Sequence, residues 1–289
     1  MIEHAIFEHE SGFTFEFNTD QSPFNTFTTE IQLRGNGQDK ARQHGTWPYF
    51  TYLGERVFRG EGDILRTESG EYIQTRLDML KALCPTPHLG NRVVGRLILE
   101  LTGQEQMEAY CTLDSYPEMP MEGLGPAHGS YMVAFRAFDP RVYSVDEYTS
   151  SADLTASAGG RTYNKTYNRT YPGTAYSGGD LLLVNGGNAE TLPTVDVYGP
   201  VTGPLFTATI DGVDRTVELG GLTVPAGGIA TISFADRTAT LSDGTELDSY
   251  FTLREWWYLQ PGNTTVAYRA VESAAPSKAV FRWKNAYLI

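Results

Sequence analysis

Histidine and cysteine are the residues of this sequence best suited to hold a metal ion or to act as a nucleophile. The five histidines stand apart at positions 4, 9, 44, 88 and 128, and none forms an H-x-x-x-H pair or neighbours a cysteine. Zinc sites need three or four such ligands close together. Cys84 and Cys111 form no C-x-x-C motif, and we predict two buried free thiols rather than a disulfide. The sequence therefore predicts no metal site and no cofactor.

The 35 aspartate and glutamate residues could in principle supply the two facing carboxylates of a glycosidase. Most of them alternate with apolar residues or stand in predicted turns, which is typical of solvated strand faces. The sequence has no phosphate-binding G-x-x-x-x-G-K-[ST] loop and no G-x-S-x-G nucleophile elbow. We expect no catalytic residues and no enzymatic activity, and an enzyme acting on cell-wall polysaccharide is the minor alternative.

The densest aromatic cluster is Trp256-Trp257-Tyr258. Such rings are able to stack on the apolar face of a sugar. On a strand, however, consecutive side chains point to opposite faces, so at most every second ring could serve one surface. We predict that these rings belong to the core or to an interface, with a sugar-binding platform as the alternative.

A second aromatic motif is the repeat GGRTYNKTYNRTYP at 159–172, which contains Tyr163, Tyr167 and Tyr171. In an extended strand its tyrosines share one face with three basic residues, while threonine and asparagine form the other face. A basic aromatic ladder is typical of single-strand nucleic-acid binding. Its position between two predicted domains instead favours an interdomain connector or lead-in strand, with a protein-docking edge as the main alternative.

The charge of the chain argues against one class of function. Aspartate and glutamate exceed lysine and arginine by 13, whereas a general nucleic-acid binder needs a positive surface to contact phosphates. No apolar run approaches the roughly 20 residues of a membrane-spanning helix. The first ten residues include three glutamates and no apolar stretch typical of a signal peptide. We therefore expect a soluble protein made in the cytosol, without membrane insertion.

The first half of the chain combines strand patterns with one helical pattern. Strands are predicted at 13–18, 27–33, 56–65, 96–101, 107–113 and 131–138. A helix over about 70–84 is predicted from a single apolar stripe at helical spacing, formed by Ile73, Leu77, Leu80 and Cys84. The predicted fold of this half is a β-sandwich with one packed α-helix.

The second half has strand and turn patterns only. Asp211-Gly212 and Asp243-Gly244 are strong hairpin signals between short apolar runs, and many short strands at regular spacing predict a β-sandwich or jelly roll. Between the halves, residues 149–180 are rich in Ser, Thr, Ala, Gly and Asn, which is typical of a linker. The predicted division is 1–148 for a first domain, 149–180 for a linker or lead-in strand, and 181–289 for a second domain.

Several motifs follow one another in an order that is more specific than any one of them. In the second half, Asn185-Gly-Gly-Asn188 precedes the strand TLPTVDVYGP, and a W-x-L-x-P-G-N turn precedes a terminal W-x-x-A-Y-L. The first half has an R-x-F-x-G strand at 56–60 and ends with FRAFDPRVYS at 135–144. Over almost the whole chain, this order resembles the distal tail proteins of siphoviruses, the phages with long non-contractile tails. The residues that carry the resemblance near the C-terminus are Trp256, Trp257, Leu259, Pro261, Gly262, Asn263, Trp283, Ala286 and Tyr287.

The resemblance implies a structural role at the tip of a phage tail. Members of that family form a ring, usually hexameric, whose N-terminal domains stack on the tail tube and hold the tail-tip hub or tail-associated protein. Their C-terminal domains have a galectin-like or jelly-roll fold and dock receptor-binding or side-fibre proteins. The negative charge suits a ring whose lumen lets DNA pass without binding it. The alternative is a galectin-type protein that binds glycans of the host cell wall.

Overall fold

The chain forms two units in the computed structural model, Met1–Val145 with Leu288–Ile289 and Asp146–Tyr287. The structure describes residues 2–34, 38–39, 46–47, 52–65, 71–84, 94–120, 128–155, 177–272 and 277–289. Within these ranges, no helix is both long and apolar enough to cross a membrane.

The first unit has ten strands and one helix in its described part. In chain order these are β1 Ile2–His9, β2 Thr14–Phe17, β3 Phe24–Arg34, β4 Gln38–Asp39, β5 Thr46–Trp47, β6 Tyr52–Leu65, α1 Glu71–Leu83, β7 Val94–Leu101, β8 Met107–Leu113, β9 His128–Ala137 and β10 Val142–Ser144. Antiparallel pairing joins them in the order β2-β1-β7-β8-β9-β6-β3, while β10 pairs with β8 and β4 pairs with β5. The predicted strand at 107–113 has the observed bounds of β8.

The main sheet of the first unit folds back on itself to enclose a core. Phe7 on β1 stacks on Phe135 of β9 with ring centroids 5.0 Å apart, although β7 and β8 lie between these strands in the sheet. At the two ends of the sheet, Phe17 on β2 stacks on Phe24 of β3 at 5.5 Å. The alternation of buried and exposed residues along β2 and β6 places their apolar side chains in this core.

Helix α1 has the predicted position but buries a different face from the predicted one. Ile73 and Leu77 are 63% and 46% exposed, whereas Met79, Ala82 and Leu83 are buried. The predicted stripe was therefore wrong. The adjacent apolar pairs 79–80 and 82–83 create two overlapping stripes at helical spacing, and the sequence gives no basis for choosing between them. Contacts of α1 with β1, β2 and β6 select the stripe that contains Met79.

The second unit consists of thirteen strands and one turn of 3₁₀-helix, Asp248–Tyr250, in its described part. The strands are β11 Tyr148–Thr155, β12 Ser177–Gly178, β13 Asp180–Asn185, β14 Thr194–Tyr198, β15 Val201–Ile210, β16 Val213–Glu218, β17 Thr223–Val224, β18 Ile229–Ser233, β19 Thr238–Leu241, β20 Leu253–Arg254, β21 Gly262–Glu272, β22 Ser277–Trp283 and β23 Ala286–Tyr287. One sheet has the order β12-β11-β22-β14-β18-β19. The other has the order β13-β21-β15-β16-β20, with β17 paired to β15.

Apolar side chains from both sheets meet in one core. Phe206 on β15 stacks on Tyr268 of β21 at 5.3 Å and meets the edge of Phe281, on β22 of the other sheet, at 5.8 Å. All three residues are fully buried. The prediction of a mainly β chain, with a packed helix in the first half and a β-sandwich in the second, is confirmed.

The hairpin and boundary segments show how local sequence shapes the second unit. Asp211 and Gly212 both have positive φ, at 52° and 75°, which is the conformation required by a tight hairpin turn. The predicted linker or lead-in segment 149–180 begins within β11, which pairs with β22 from Tyr148 to Leu154. Residues 156–176, including Tyr163, Tyr167 and Tyr171, lie outside the described residues.

Candidate functional site

The residues that carry the resemblance near the C-terminus are here called the signature residues, and two of them, Leu259 and Ala286, bond through their backbone to the buried side chain of Asn185 at the end of β13. Its Nδ2 group donates to the carbonyl oxygens of Ala189, at 2.7 Å, and Leu259, at 3.3 Å. Its Oδ1 atom accepts from the backbone N–H groups of Gly187, at 3.0 Å, and Ala286, at 3.4 Å. One amide therefore joins its own turn to the segment after the tryptophan pair and to the C-terminal segment, although Ala286 is 101 residues away in sequence.

The glycines of this turn are required by the close approach of the C-terminal segment. A Cβ atom at Gly187 would overlap the carbonyl oxygen of Ala286. The backbone N–H of Gly186 donates to Asn285 Oδ1 at 2.8 Å, and the N–H of Ala189 donates to the oxygen of Ala286 at 3.0 Å. In the Asn-Gly-Gly motif, the asparagine side chain thus forms hydrogen bonds to the backbone, and the two glycines allow the C-terminal segment to approach closely.

Two tryptophans of the signature, Trp257 and Trp283, are parts of the core. Trp257 is 1% exposed, and its indole N–H donates to the carbonyl oxygen of Phe206 at 3.4 Å. Trp283 is 6% exposed, donates to the oxygen of Val184 at 3.1 Å and stacks on Tyr148. Trp256 is half-buried, and both it and Trp257 contact the ring of Phe234.

The remaining signature residues complete the segment that the Asn185 amide holds. Leu259 and Ala286 are buried, and Tyr287 is half-buried. Pro261 and Asn263 are exposed in the turn that begins β21, where Gly262 has a φ of 85°. These residues form a structural joint of the second unit, and none of them is placed as a reacting group.

In the first unit, the Asp139-Pro140 motif forms a rigid turn between β9 and β10. The Asp139 carboxylate accepts hydrogen bonds from the backbone N–H of Arg141 at 3.0 Å, from its Nε at 2.9 Å and from the Tyr143 hydroxyl at 2.6 Å. Burial alone would raise the pKa of this carboxyl, but the hydrogen bonds from Arg141 and Tyr143 outweigh it and hold the pKa below its ordinary value.

Charged residues of the first unit are also used to hold strands together. Arg96 on β7 donates to Glu8 on β1 at 2.6 Å and to Glu108 on β8 at 2.8 Å. The Glu108 side chain is completely buried. Because a buried carboxylate must be paired, this bridge across three adjacent strands accounts for Glu108 without a catalytic role.

Arg56 is a buried cation that the sequence patterns missed. It is 0% exposed, and its Nε, Nη1 and Nη2 atoms have no hydrogen-bond partner among the residues that the structure describes. Burial lowers the pKa of its guanidinium to about 10. Alternation along β6 was the available signal, since Arg56 shares its face of the strand with the core residue Phe58. The nearby Asp139 carboxylate attracts Arg56 but bonds to Arg141 and Tyr143.

Metal and thiol chemistry gain no support from the described part of the chain. Among these residues, no group of three or more His, Cys, Asp or Glu side chains is placed to hold a metal ion. Both cysteines are free, Cys111 buried and Cys84 half-buried. Burial raises the pKa of Cys84 and raises that of Cys111 to about 12, so neither thiol is activated as a nucleophile.

Comparison with known proteins finds similarity at the level of structure. No protein-family model and no curated protein sequence matches the chain. Among solved structures, the phage SPP1 Dit (gp 19.1) protein superposes with a TM-score of 0.63 at 14% identity, covering 96% of this chain and 98% of that one. The chain has the fold of SPP1 Dit. That protein is described as a paradigm of the hub adsorption apparatus in phages that infect Gram-positive bacteria.

A second similar structure comes from the baseplate of phage P2 in its activated conformation with calcium. Its TM-score is 0.45 at 14% identity, with 98% of each chain covered. The same baseplate with strontium gives a TM-score of 0.43.

Proposed function

We propose that this protein is a virion structural protein, a distal tail adaptor that joins the tail tube to the tail-tip and receptor-binding apparatus of a phage. The observation that carries the proposal is the match of fold to SPP1 Dit over both units, which leaves no large part of either chain unmatched. The sequence motifs favour the same family independently, because they were identified from residue order alone.

The structural use of the signature residues supports an adaptor over an enzyme. Asn185, Trp257, Leu259 and Ala286 are buried and bonded within the second unit. The buried carboxylate of Glu108 is paired with Arg96 rather than exposed in a cleft. The contacts of the first four residues hold backbone segments of the second unit together rather than position a reacting group. They therefore suit a docking module.

In the proposed assembly the chain forms a hexameric ring at the tail tip. Its partners are further copies of itself, the tail tube protein, the tail-tip hub or tail-associated protein, and receptor-binding or side-fibre proteins. DNA passes through the lumen without specific binding, and the net charge of −13 supports this part of the proposal. The repeat with Tyr163, Tyr167 and Tyr171 serves as an interdomain connector or docking segment.

A galectin-type lectin is the second candidate, and the outer face of the β13–β16 sheet does not favour it. Thr207 bonds to Thr216 at 2.9 Å and Thr209 bonds to Asp214 at 2.7 Å, so these side chains satisfy one another. None of the described tryptophans is exposed on this face to stack on a sugar. An adaptor is therefore the better proposal for this sheet.

Electron microscopy of virions tests the adaptor proposal directly. Antibodies against this chain are expected to label the tip of the tail, and the purified protein, with its tail-tip partner added, is expected to form six-fold rings of about six chain masses. Label along the tube or on the capsid, or its absence from purified virions, would contradict the proposal.

The connector role of the repeat has its own test. Replacing Tyr163, Tyr167 and Tyr171 with serine is expected to leave the thermal unfolding of both units unchanged and to weaken tail assembly or partner docking. Loss of folding in either unit would show that the three rings belong to a core and would contradict the connector role.

A further inference from the structure

A groove at the rim of the second unit brings three arginines and a tryptophan together. It has a volume of about 370 Å³ and is lined by residues 213–215, Arg237 and residues 254–256. Strand β16, the turn between β18 and β19, and the segment at β20 supply these residues. Val217 pairs with Arg254, and the backbone N–H of Glu255 donates to the carbonyl oxygen of Thr216 at 3.1 Å, so Arg215 and Trp256, the next residues of the two segments, lie across from each other.

The three arginines of this groove have no carboxylate partner in the described part of the chain. Arg215, Arg237 and Arg254 are exposed, and none of them takes part in the ion pairs of the described residues. Their guanidinium groups therefore keep hydrogen-bond donors available for a ligand that offers acceptor oxygens.

The two acidic residues of the groove are already engaged elsewhere. Asp214 accepts a hydrogen bond from the hydroxyl of Thr209 at 2.7 Å, and Glu255 accepts from the backbone N–H of Thr216 at 3.0 Å. Each carboxylate retains further lone pairs after one bond. These oxygens remain able to accept from hydroxyl groups of a ligand.

The floor of the groove is held in place by packing. Trp256 meets Phe234 at 5.3 Å and Phe251 at 5.2 Å, both with the rings steeply inclined. The guanidinium of Arg254 lies 5.3 Å from the centroid of the Phe251 ring and donates to the carbonyl oxygen of Asp248 at 2.7 Å. A tryptophan and an arginine that are already ordered lose little conformational freedom when a ligand binds.

We propose that this groove binds a glycan segment that carries anionic groups, either carboxylate or phosphate. The anionic group would accept from Arg215 and Arg237, and the sugar ring would pack on the accessible part of Trp256 beside Val213. Sugar hydroxyls would donate to the remaining lone pairs of Asp214 and Glu255. An acidic peptide fits less well, because it would bring several carboxylates toward those of Asp214 and Glu255. It would also offer few hydroxyl groups to donate to them. The site lies at the rim of the sandwich and borders the threonine-rich sheet face, where Asp214 bonds to Thr209.

The test measures binding to the purified full-length chain by NMR titration or calorimetry, so it does not depend on the virion role. The probes are trigalacturonic acid for a sugar carboxylate and glucose 6-phosphate for a sugar phosphate. Maltotriose serves as the neutral sugar and triglutamate as the acidic peptide. The variants are Arg215→Gln, Arg237→Gln and Trp256→Phe, and Lys278→Gln is the matched control because it removes one exposed positive charge from the same unit.

At least one of the two anionic sugars is expected to bind about 10-fold more tightly than maltotriose and triglutamate, and the stronger of the two identifies the anionic group. Each arginine variant is expected to weaken this binding about 10-fold, Trp256→Phe to weaken it less, and Lys278→Gln to leave it within about 2-fold. The proposal is overturned if neither anionic sugar binds, if maltotriose or triglutamate binds as tightly, or if the arginine variants behave like Lys278→Gln. Since Arg215 and Arg237 are exposed, their variants are expected to fold.

Discussion

At the residue scale, the amide of Asn185 holds three backbone segments of the second unit together. Its four hydrogen bonds reach the backbone of Gly187, Ala189, Leu259 and Ala286. A side chain with both donors and an acceptor is needed, since two of these backbone groups are carbonyls and two are N–H groups. This explains why an asparagine, and not an aspartate or a leucine, stands at the start of the motif.

Asn185→Ala is expected to destabilise the second unit by about 2–3 kcal/mol, because buried backbone groups lose their partners. The measurement is the denaturant-induced unfolding of the second unit, followed by the fluorescence of its buried tryptophans. The control is Asn263→Ala, an exposed asparagine of the same signature, which is expected to change stability by no more than about 0.5 kcal/mol. Equal effects of the two substitutions would contradict the role assigned to Asn185.

Arg56 shows the opposite case, a buried guanidinium that has no hydrogen-bond partner among the described residues and lies 5.6 Å from the centroid of the Phe58 ring. Replacing it with methionine removes the desolvation penalty and keeps most of the side-chain volume, so Arg56→Met is expected to stabilise the first unit by about 1 kcal/mol or more. Thermal unfolding of the variant measures this. A loss of about 3 kcal/mol would instead show that the guanidinium has an anionic partner in solution. Phe58→Ala, on the same face of β6, is the reference for an ordinary core loss of about 3–5 kcal/mol.

At the element scale, the buried face of helix α1 differs from the apolar stripe predicted from its sequence periodicity. Met79→Ala is expected to destabilise the first unit by about 2–4 kcal/mol, because Met79 is fully buried against the sheet. Ile73→Ala, on the predicted stripe, is expected to have an effect within about 0.5 kcal/mol, since Ile73 is 63% exposed. Denaturant unfolding of both variants compares them, and a larger effect at Ile73 would mean that the other stripe is the packed one.

Asp139, in the turn between β9 and β10, makes the stability of the first unit depend on pH. The pKa of Asp139 is depressed below its ordinary value of 3.8 in the folded chain. A depressed carboxyl pKa stabilises the fold above the unfolded pKa, and the contribution is lost as pH falls through the folded value. Asp139→Asn is therefore expected to destabilise the first unit at pH 7, with a difference from the parent chain that shrinks below about pH 4. Unfolding curves recorded between about pH 7 and pH 3 measure this difference, and a constant difference would contradict the assigned hydrogen bonds.

At the scale of the whole molecule, similarity of fold to SPP1 Dit extends over 96% of the chain at 14% identity. At this identity most side chains differ between the two chains, so the shared fold depends on the pattern of buried and exposed residues along the strands rather than on particular residues. The rim groove with Trp256 is separate from the joint around Asn185, and its three arginines are exposed.

The sequence by itself determined many of the strands, the tight turns, the presence of one helix and the family that the motif order resembles, whereas β1 was not predicted. Each of these depends on neighbours a few residues apart, as in the alternation along β8 or the Asp211-Gly212 turn, and local chain geometry is enough to predict them. Only the tertiary structure decided which helix face is buried, that Asn185 reaches Ala286, that Arg56 lies in the core, and that Arg215 stands opposite Trp256. These outcomes depend on pairing between segments tens of residues apart, and residue periodicity holds no information about which distant segment a side chain will meet.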